Sequence, residues 1–178
     1  MERAAATLRL FFALWPPLDL QAKLAVWARQ AAGSGRAMRR ENIHLTLAFL
    51  GATDPALLPE LTALAASVRF DPLRLSLDRV GYWKHNRIIW CGAEVEPPAL
   101  IALVEDLRAR LSAAGIRYDR KVFFAHLTLV RKALGVEDAA PRWVPLAWDV
   151  RDFVLVRSLE IEGRVTYEVM QRFPAAAG

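Results

Sequence analysis

From residue 7 to residue 15, Leu8, Leu10, Phe12 and Leu14 alternate with Arg9, Phe11, Ala13 and Trp15. A period of two is that of a β-strand whose two faces meet different surroundings. Pro16-Pro17 ends the strand, and the period lengthens: Leu20, Leu24, Trp27 and Ala31 predict a helix over 18–32, stopped by Gly33-Ser34-Gly35. Residues 43–50 return to a strand. Asp54-Pro55 then caps a second helix carrying Leu58, Leu61, Ala65 and Val68 on one stripe. Strands are expected near 73–80 and 87–95, with Gly81 to Asn86 turning between them. Pro97-Pro98 opens the clearest helix, where Leu100, Leu103, Val104, Leu107 and Leu111 recur at helical spacing until Gly115. Strands near 121–130, 148–158 and 164–172 complete the chain, and 133–146, with Pro141 and Pro145, reads as a loop.

The order β-α-β-α-β-β-α-β-β-β is neither strict alternation nor all-β. It predicts an α+β fold of antiparallel sheets covered by helices on one face. At 178 residues, with no linker-like or low-complexity stretch, residues 1–178 read as a single domain, or two small intimately packed lobes.

Composition narrows the setting. Apolar residues make up 54% and charged residues 24%, as in ordinary globular proteins. Cys91 is the only cysteine, which rules out an intramolecular disulfide and a C-x-x-C metal site and fits a reducing cytoplasm. Its apolar setting, IIWCGAEV, marks a structural thiol rather than a nucleophile. The run LRLFFALW is cut short by Pro16-Pro17 and preceded by Glu2, so it reads as a strand and not a signal peptide. No other stretch approaches the roughly 18 apolar residues of a membrane span. The expectation is a cytoplasmic protein, neither exported nor membrane-embedded. The net charge of +5 favours an acidic partner such as RNA. Arginine outnumbers lysine 20 to 4, but in an alanine-rich chain genome composition accounts for that equally well.

The sharpest signal is a repeat. HLTL occurs at 44–47 and again at 126–129 in a chain with three histidines. By composition, such a coincidence has odds on the order of a few in a thousand, which favours duplication or shared function. The two histidines are 82 residues apart, as are the two threonines, close to half the chain. In a strand, residues i and i+2 share a face. Leu45 and Leu47 therefore point one way with His44 and Thr46 opposed, and Leu127 and Leu129 are opposed to His126 and Thr128. If two pseudo-symmetric lobes face each other, both His-Thr pairs converge on one cleft. Two imidazoles can divide the work of base and acid near neutral pH, and two hydroxyls can bind an anion. That set suits phosphodiester cleavage without a metal. No carboxylate or further histidine stands near either copy to complete three metal ligands, and no G-x-S-x-G supports a nucleophilic triad. His85, among Lys84, Asn86 and Arg87, reads as a solvated turn residue.

The paired H-x-T-x motifs, with NIHLTLAFLG around the first, the opening RLFFALWPP and the closing VRSLEIEGRVTYEV, resemble the 2H phosphoesterase superfamily. Within it the match is to the RNA 2',3'-cyclic phosphodiesterases, also called 2'-5' RNA ligase or LigT-like. The resemblance runs through almost the whole chain and implies a bilobal, pseudo-symmetric fold of two antiparallel sheets with helices outside and a central cleft. It implies metal- and cofactor-independent hydrolysis of the cyclic end to a 2'-phosphate, with O3' as leaving group. His44 is assigned as proton donor and His126 as proton acceptor, an order that near-symmetric motifs leave open. Thr46 and Thr128 would hold the non-bridging oxygens. Arg131, where the family has an arginine after the second motif, would stabilise charge. Ser158 and Tyr167 fall at the family's usual Ser and Tyr, whereas Ala125 stands where proline is frequent. Arg39 and Arg40 are candidates for the RNA backbone, and Phe11, Trp83 and Phe124 for stacking, with core packing the stronger reading of the aromatics. The implied partner is RNA with a 2',3'-cyclic phosphate end, tRNA fragments among the candidates, bound by a monomer. A ribose 5'-hydroxyl replacing the water would give a 2'-5' linkage, the ligation that the family's older name describes. Rival readings are an RNA-end-binding module without catalysis and a sibling enzyme acting on another small cyclic phosphate.

Overall fold

The computed structural model describes residues 7–137 and 140–177. Strand β1 (Leu8–Leu14) leads into α1 (Leu18–Ala31), a short β2 (Arg36–Ala37), β3 (Leu45–Thr53) and α2 (Leu58–Ser67). Then come β4 (Leu73–Leu77), β5 (Arg79–Trp83), β6 (Ile88–Gly92) and α3 (Pro98–Ala113). Strands β7 (His126–Arg131), β8 (Leu146–Val150), β9 (Asp152–Ile161) and β10 (Arg164–Pro174) follow. Eight strands form one antiparallel sheet in the order β10-β9-β1-β3-β7-β6-β5, with β2 alongside β7, and β4 pairs with β8 in a second sheet. The alternation read in β1 is the reason for the layering. Leu10, Phe12 and Leu14 lie in the main core with Leu24 of α1, Leu61 of α2, and Leu103 and Leu107 of α3. Phe11 and Ala13 join Val154 and Val156 in a smaller cluster on the other face. The helices and the small sheet thus cover one side of the large sheet, as the α+β reading requires.

The large sheet is nearly two sheets. The β3–β7 ladder holds a single registered pair, Leu45 opposite Leu127. These leucines occupy the same place in the two HLTL copies, so the duplicated segments meet each other at the junction of two lobes. Leu45, Leu47, Leu127 and Leu129 are all fully buried. A one-residue slip would turn them to the open face at roughly 1.5–3 kcal/mol each, which fixes the phase of both strands.

Each copy also carries the same irregularity. The β1–β3 register passes from Thr46 to Ala48, and the β6–β7 register from Thr128 to Val130, so Leu47 and Leu129 are each skipped by their partner strand. Such a bulge reverses the in-out phase beyond it. The carbonyls displaced from the ladder find other donors. Leu47 O accepts from Arg108 Nε and Nη2 at 3.2 and 3.1 Å, and Leu129 O accepts from Met38 N at 2.8 Å. The next residue to reach the open face is Phe49 in one lobe and Arg131 in the other.

Several strand limits depart from the sequence reading. The segment expected as one strand over 73–80 breaks at Asp78, whose carboxylate accepts from Glu94 N at 2.8 Å, and β4 and β5 enter different sheets. The segment expected over 148–158 likewise breaks at Arg151 between β8 and β9. Residues 121–125 have no ladder partner, and Gly81 to Trp83 lie within β5 rather than in the turn.

Gly92 sits opposite His126, where any Cβ would collide with the Ala125 carbonyl, a backbone atom unable to swing away. Gly92→Ala is therefore expected to cost about 1–3 kcal/mol, a fall of roughly 3–10 °C in Tm for a chain of this length. A thermal melt with unchanged Tm would show that β6 and β7 do not need this close approach.

Candidate active site

The junction pair determines what faces the cleft. With Leu45 and Leu127 turned into the core, the antiparallel sense of the pair sets His44 toward Thr128 and Thr46 toward His126. All four side chains line one cleft of about 600 Å³, together with Arg131, Ser158 and Tyr167. Every residue named from the sequence as catalytic or substrate-binding is thus brought to one place.

The two imidazoles are held alike. His44 Nδ1 donates to the Asn42 carbonyl at 2.7 Å, and His126 Nδ1 donates to the Phe124 carbonyl at 2.8 Å. A carbonyl only accepts, so each neutral ring carries its proton on Nδ1 and keeps Nε2 for a ligand. At His44 the Thr46 hydroxyl lies 3.2 Å from Nε2.

Their surroundings differ. His44 stacks on Trp15 at 5.3 Å and an 8° interplanar angle, with Phe11 at 4.8 Å and the edge of Tyr167 at 5.0 Å. His126 meets Trp83 at 4.6 Å and Phe124 at 6.0 Å. Burial therefore pushes the His44 pKa down to about 4, against the bond to the Asn42 carbonyl, and the positive charges of Arg131 and His126 lower it further. His126 is also lowered, first by burial and then by Arg131, with the Phe124 carbonyl opposing. Both shifts favour the neutral form of the ring. Arg131 makes no ion pair among the described residues, so its charge is available to an anion.

Several residues found no place in the sequence reading or the wrong one. Asn42 holds His44 through its carbonyl while its Nδ2 donates to Val165 O at 3.0 Å, tying the first motif to β10; its buried Oδ1 has no partner among the described residues. Arg108 spans the two lobes, bonding Leu47 O and, at 2.9 Å, Lys121 O. Glu96 Oε1 accepts from Ala125 N at 2.5 Å. Where the family often has proline, this chain thus uses the alanine N–H to fix the backbone before His126. Arg39 donates to Val165 O at 2.6 Å and pairs with Glu41 at 3.4 Å, a structural role rather than a free grip on RNA. Arg40 is exposed and does not line the cleft. His85 is exposed in its turn, as expected, yet it also reaches the cleft rim. Phe11 is buried and Trp83 and Phe124 are not, but all three line the cleft. Cys91 is fully buried and its thiol is pushed well above the usual range. Among the described residues no three His, Cys, Asp or Glu side chains cluster as a metal site, and no helix is long and apolar enough to cross a membrane.

Comparison with known proteins agrees with this geometry. The LigT like phosphoesterase family matches residues 14–90. The RNA 2',3'-cyclic phosphodiesterase of Escherichia coli is 31% identical over 93% of this chain and 95% of its own length. That of Thermus thermophilus is 32% identical over 93% of this chain and 89% of its own length. Among solved structures, apo E. coli LigT superposes with a TM-score of 0.85 at 31% identity, covering 97% of this chain and 99% of that one. E. coli LigT complexed with 3'-AMP gives 0.84 at 30% identity, covering 96% and 99%. Two near-full-length relatives at this identity, with the paired motifs meeting in one cleft, leave a single conclusion: the chain belongs to the LigT-like phosphoesterases, the family of the RNA 2',3'-cyclic phosphodiesterases.

Proposed function

We propose that this protein hydrolyses the 2',3'-cyclic phosphate end of RNA to a 2'-phosphomonoester without a metal, as one domain of two lobes acting as a cytoplasmic monomer, with tRNA fragments among its substrates. The observation that carries the reading is the convergence of two His-Thr pairs, each imidazole locked through Nδ1 with Nε2 turned from that bond, beside an arginine that makes no ion pair among the described residues.

The cyclic diester is an anion, and the Thr46 and Thr128 hydroxyls donate to its non-bridging oxygens while Arg131 balances the charge that builds in the transition state. His126 Nε2 takes a proton from water as the water oxygen bonds to phosphorus. The P–O3' bond breaks on the opposite side, and O3' takes the proton of His44 Nε2. The P–O2' bond stays intact. This order suits the asymmetry of the rings. The more enclosed His44 gains most from an arriving anion, because charges interact more strongly where water is excluded. His126, with fewer aromatic neighbours, meets the incoming water. With a ribose 5'-hydroxyl entering in place of water, the same site would form a 2'-5' linkage as O3' departs, and the reverse, with O3' entering and that 5'-hydroxyl departing, would break it.

Replacing either histidine by alanine is expected to lower turnover of an oligonucleotide ending in 2',3'-cyclic phosphate by roughly two to four decades. Circular dichroism should be unchanged, and chelator should not affect the wild type. Near-full activity in both variants would refute the reading. The pH dependence follows from the lowered pKa values. kcat/KM reports the free enzyme, which needs one ring protonated and the other neutral. With both pKa values below 6.5, the alkaline limb of kcat/KM should be centred below pH 6.5, falling as pH rises through neutrality. In kcat that limb should move to higher pH, since the bound anion raises the pKa of the acid. A kcat/KM limb centred above pH 7 would contradict this account.

A further inference from the structure

The cleft extends past the catalytic pair along β1. Phe11, whose ring packs on His44, and Arg9 share a face of that strand, about 7 Å apart, a distance on the order of one step along a nucleic acid backbone. The Arg9 guanidinium lies 4.7 Å over the ring of Phe49, which the bulge at Leu47 turns to this face. Ser158 stands beside Arg9 on the neighbouring strand. The opposite rim is the segment before β7, anchored by Asp119 N donating to Phe49 O at 2.8 Å. The Lys121 ammonium there is already paired with Asp119 at 3.3 Å. Arg9 itself is exposed and makes no ion pair or side-chain hydrogen bond among the described residues. Stacking on an aromatic ring uses the flat face of a guanidinium and leaves its edge N–H groups free for a phosphate.

The in-line geometry says which way a substrate runs. Water and O3' stand on opposite sides of phosphorus, so with His126 on the water side the ribose lies on the His44 side, and the strand leaves along β1. We propose that Arg9, held flat by Phe49, binds the phosphodiester that links the terminal nucleotide to the one before it, making an oligonucleotide end the preferred substrate over a lone nucleoside 2',3'-cyclic phosphate. The proposal rests on the hydrolase reading with His44 as the acid.

The test compares kcat/KM on a dinucleotide ending in 2',3'-cyclic phosphate with that on a nucleoside 2',3'-cyclic phosphate bearing a free 5'-hydroxyl. The wild type should favour the dinucleotide. In Arg9→Ala the ratio of the two should fall roughly five- to thirtyfold, mainly through KM. Arg9→Lys should retain part of it, and a dinucleotide with an uncharged methylphosphonate link should lose the advantage in the wild type. A ratio untouched by Arg9→Ala, or an advantage that survives the uncharged link, would overturn the proposal while leaving the hydrolase reading intact. A wild type that converts neither substrate would overturn both.

Discussion

Leu45 and Leu127 face each other where β3 meets β7, as the single registered pair of that ladder among the described residues. Because they hold the same place in two copies of one tetrapeptide, an antiparallel pairing there imposes a local twofold relation. A histidine of each copy is set toward a threonine of the other. The leucines supply the burial and the histidine-threonine pairs line the cleft, and a strand's period of two keeps the two sets on opposite faces. The bulges at Leu47 and Leu129 extend the relation one step further, delivering an aromatic ring in one lobe and a guanidinium in the other to matching places in the cleft.

Equal motifs do not make equal groups. His44 is walled by Phe11, Trp15 and Tyr167, His126 by Trp83 and Phe124, and burial lowers the pKa of both, bringing that of His44 down to about 4. Enzymes that use two like groups as acid and base separate them by environment rather than by type. Here the separation comes from side chains outside the repeated tetrapeptide, at positions the duplication does not match in kind.

This explains what was legible in the sequence. Alternation in β1, the stripe of α3 and the repeated tetrapeptide are patterns of burial, and burial leaves a trace in residue type. The breaks at Asp78 and Arg151 left little, because each is marked only by a two-residue polar step, Asp78-Arg79 and Arg151-Asp152, at which the phase shifts while the chain changes sheet. Asn42, Glu96 and Arg108 escaped for a related reason. They act on backbone N–H and carbonyl groups made available by bulges and strand ends, and every residue type carries those groups. The two-residue β2 is too short to show a period. His85 reads as a turn residue and is one, and only the folding of its hairpin toward the cleft gives it a second neighbourhood.

The carbonyl bonds at Asn42 and Phe124 close one ring nitrogen of each histidine to proton traffic. In the proposed cycle a turnover leaves His44 without a proton on Nε2 and His126 with an extra one. Neither ring can relay it inward through Nδ1. The next round begins only when the surplus proton leaves by the same cleft-facing nitrogen and another reaches His44 from that side. In that cycle the mouth of the cleft serves both as the substrate's entrance and as the route by which the two rings exchange protons with the solvent.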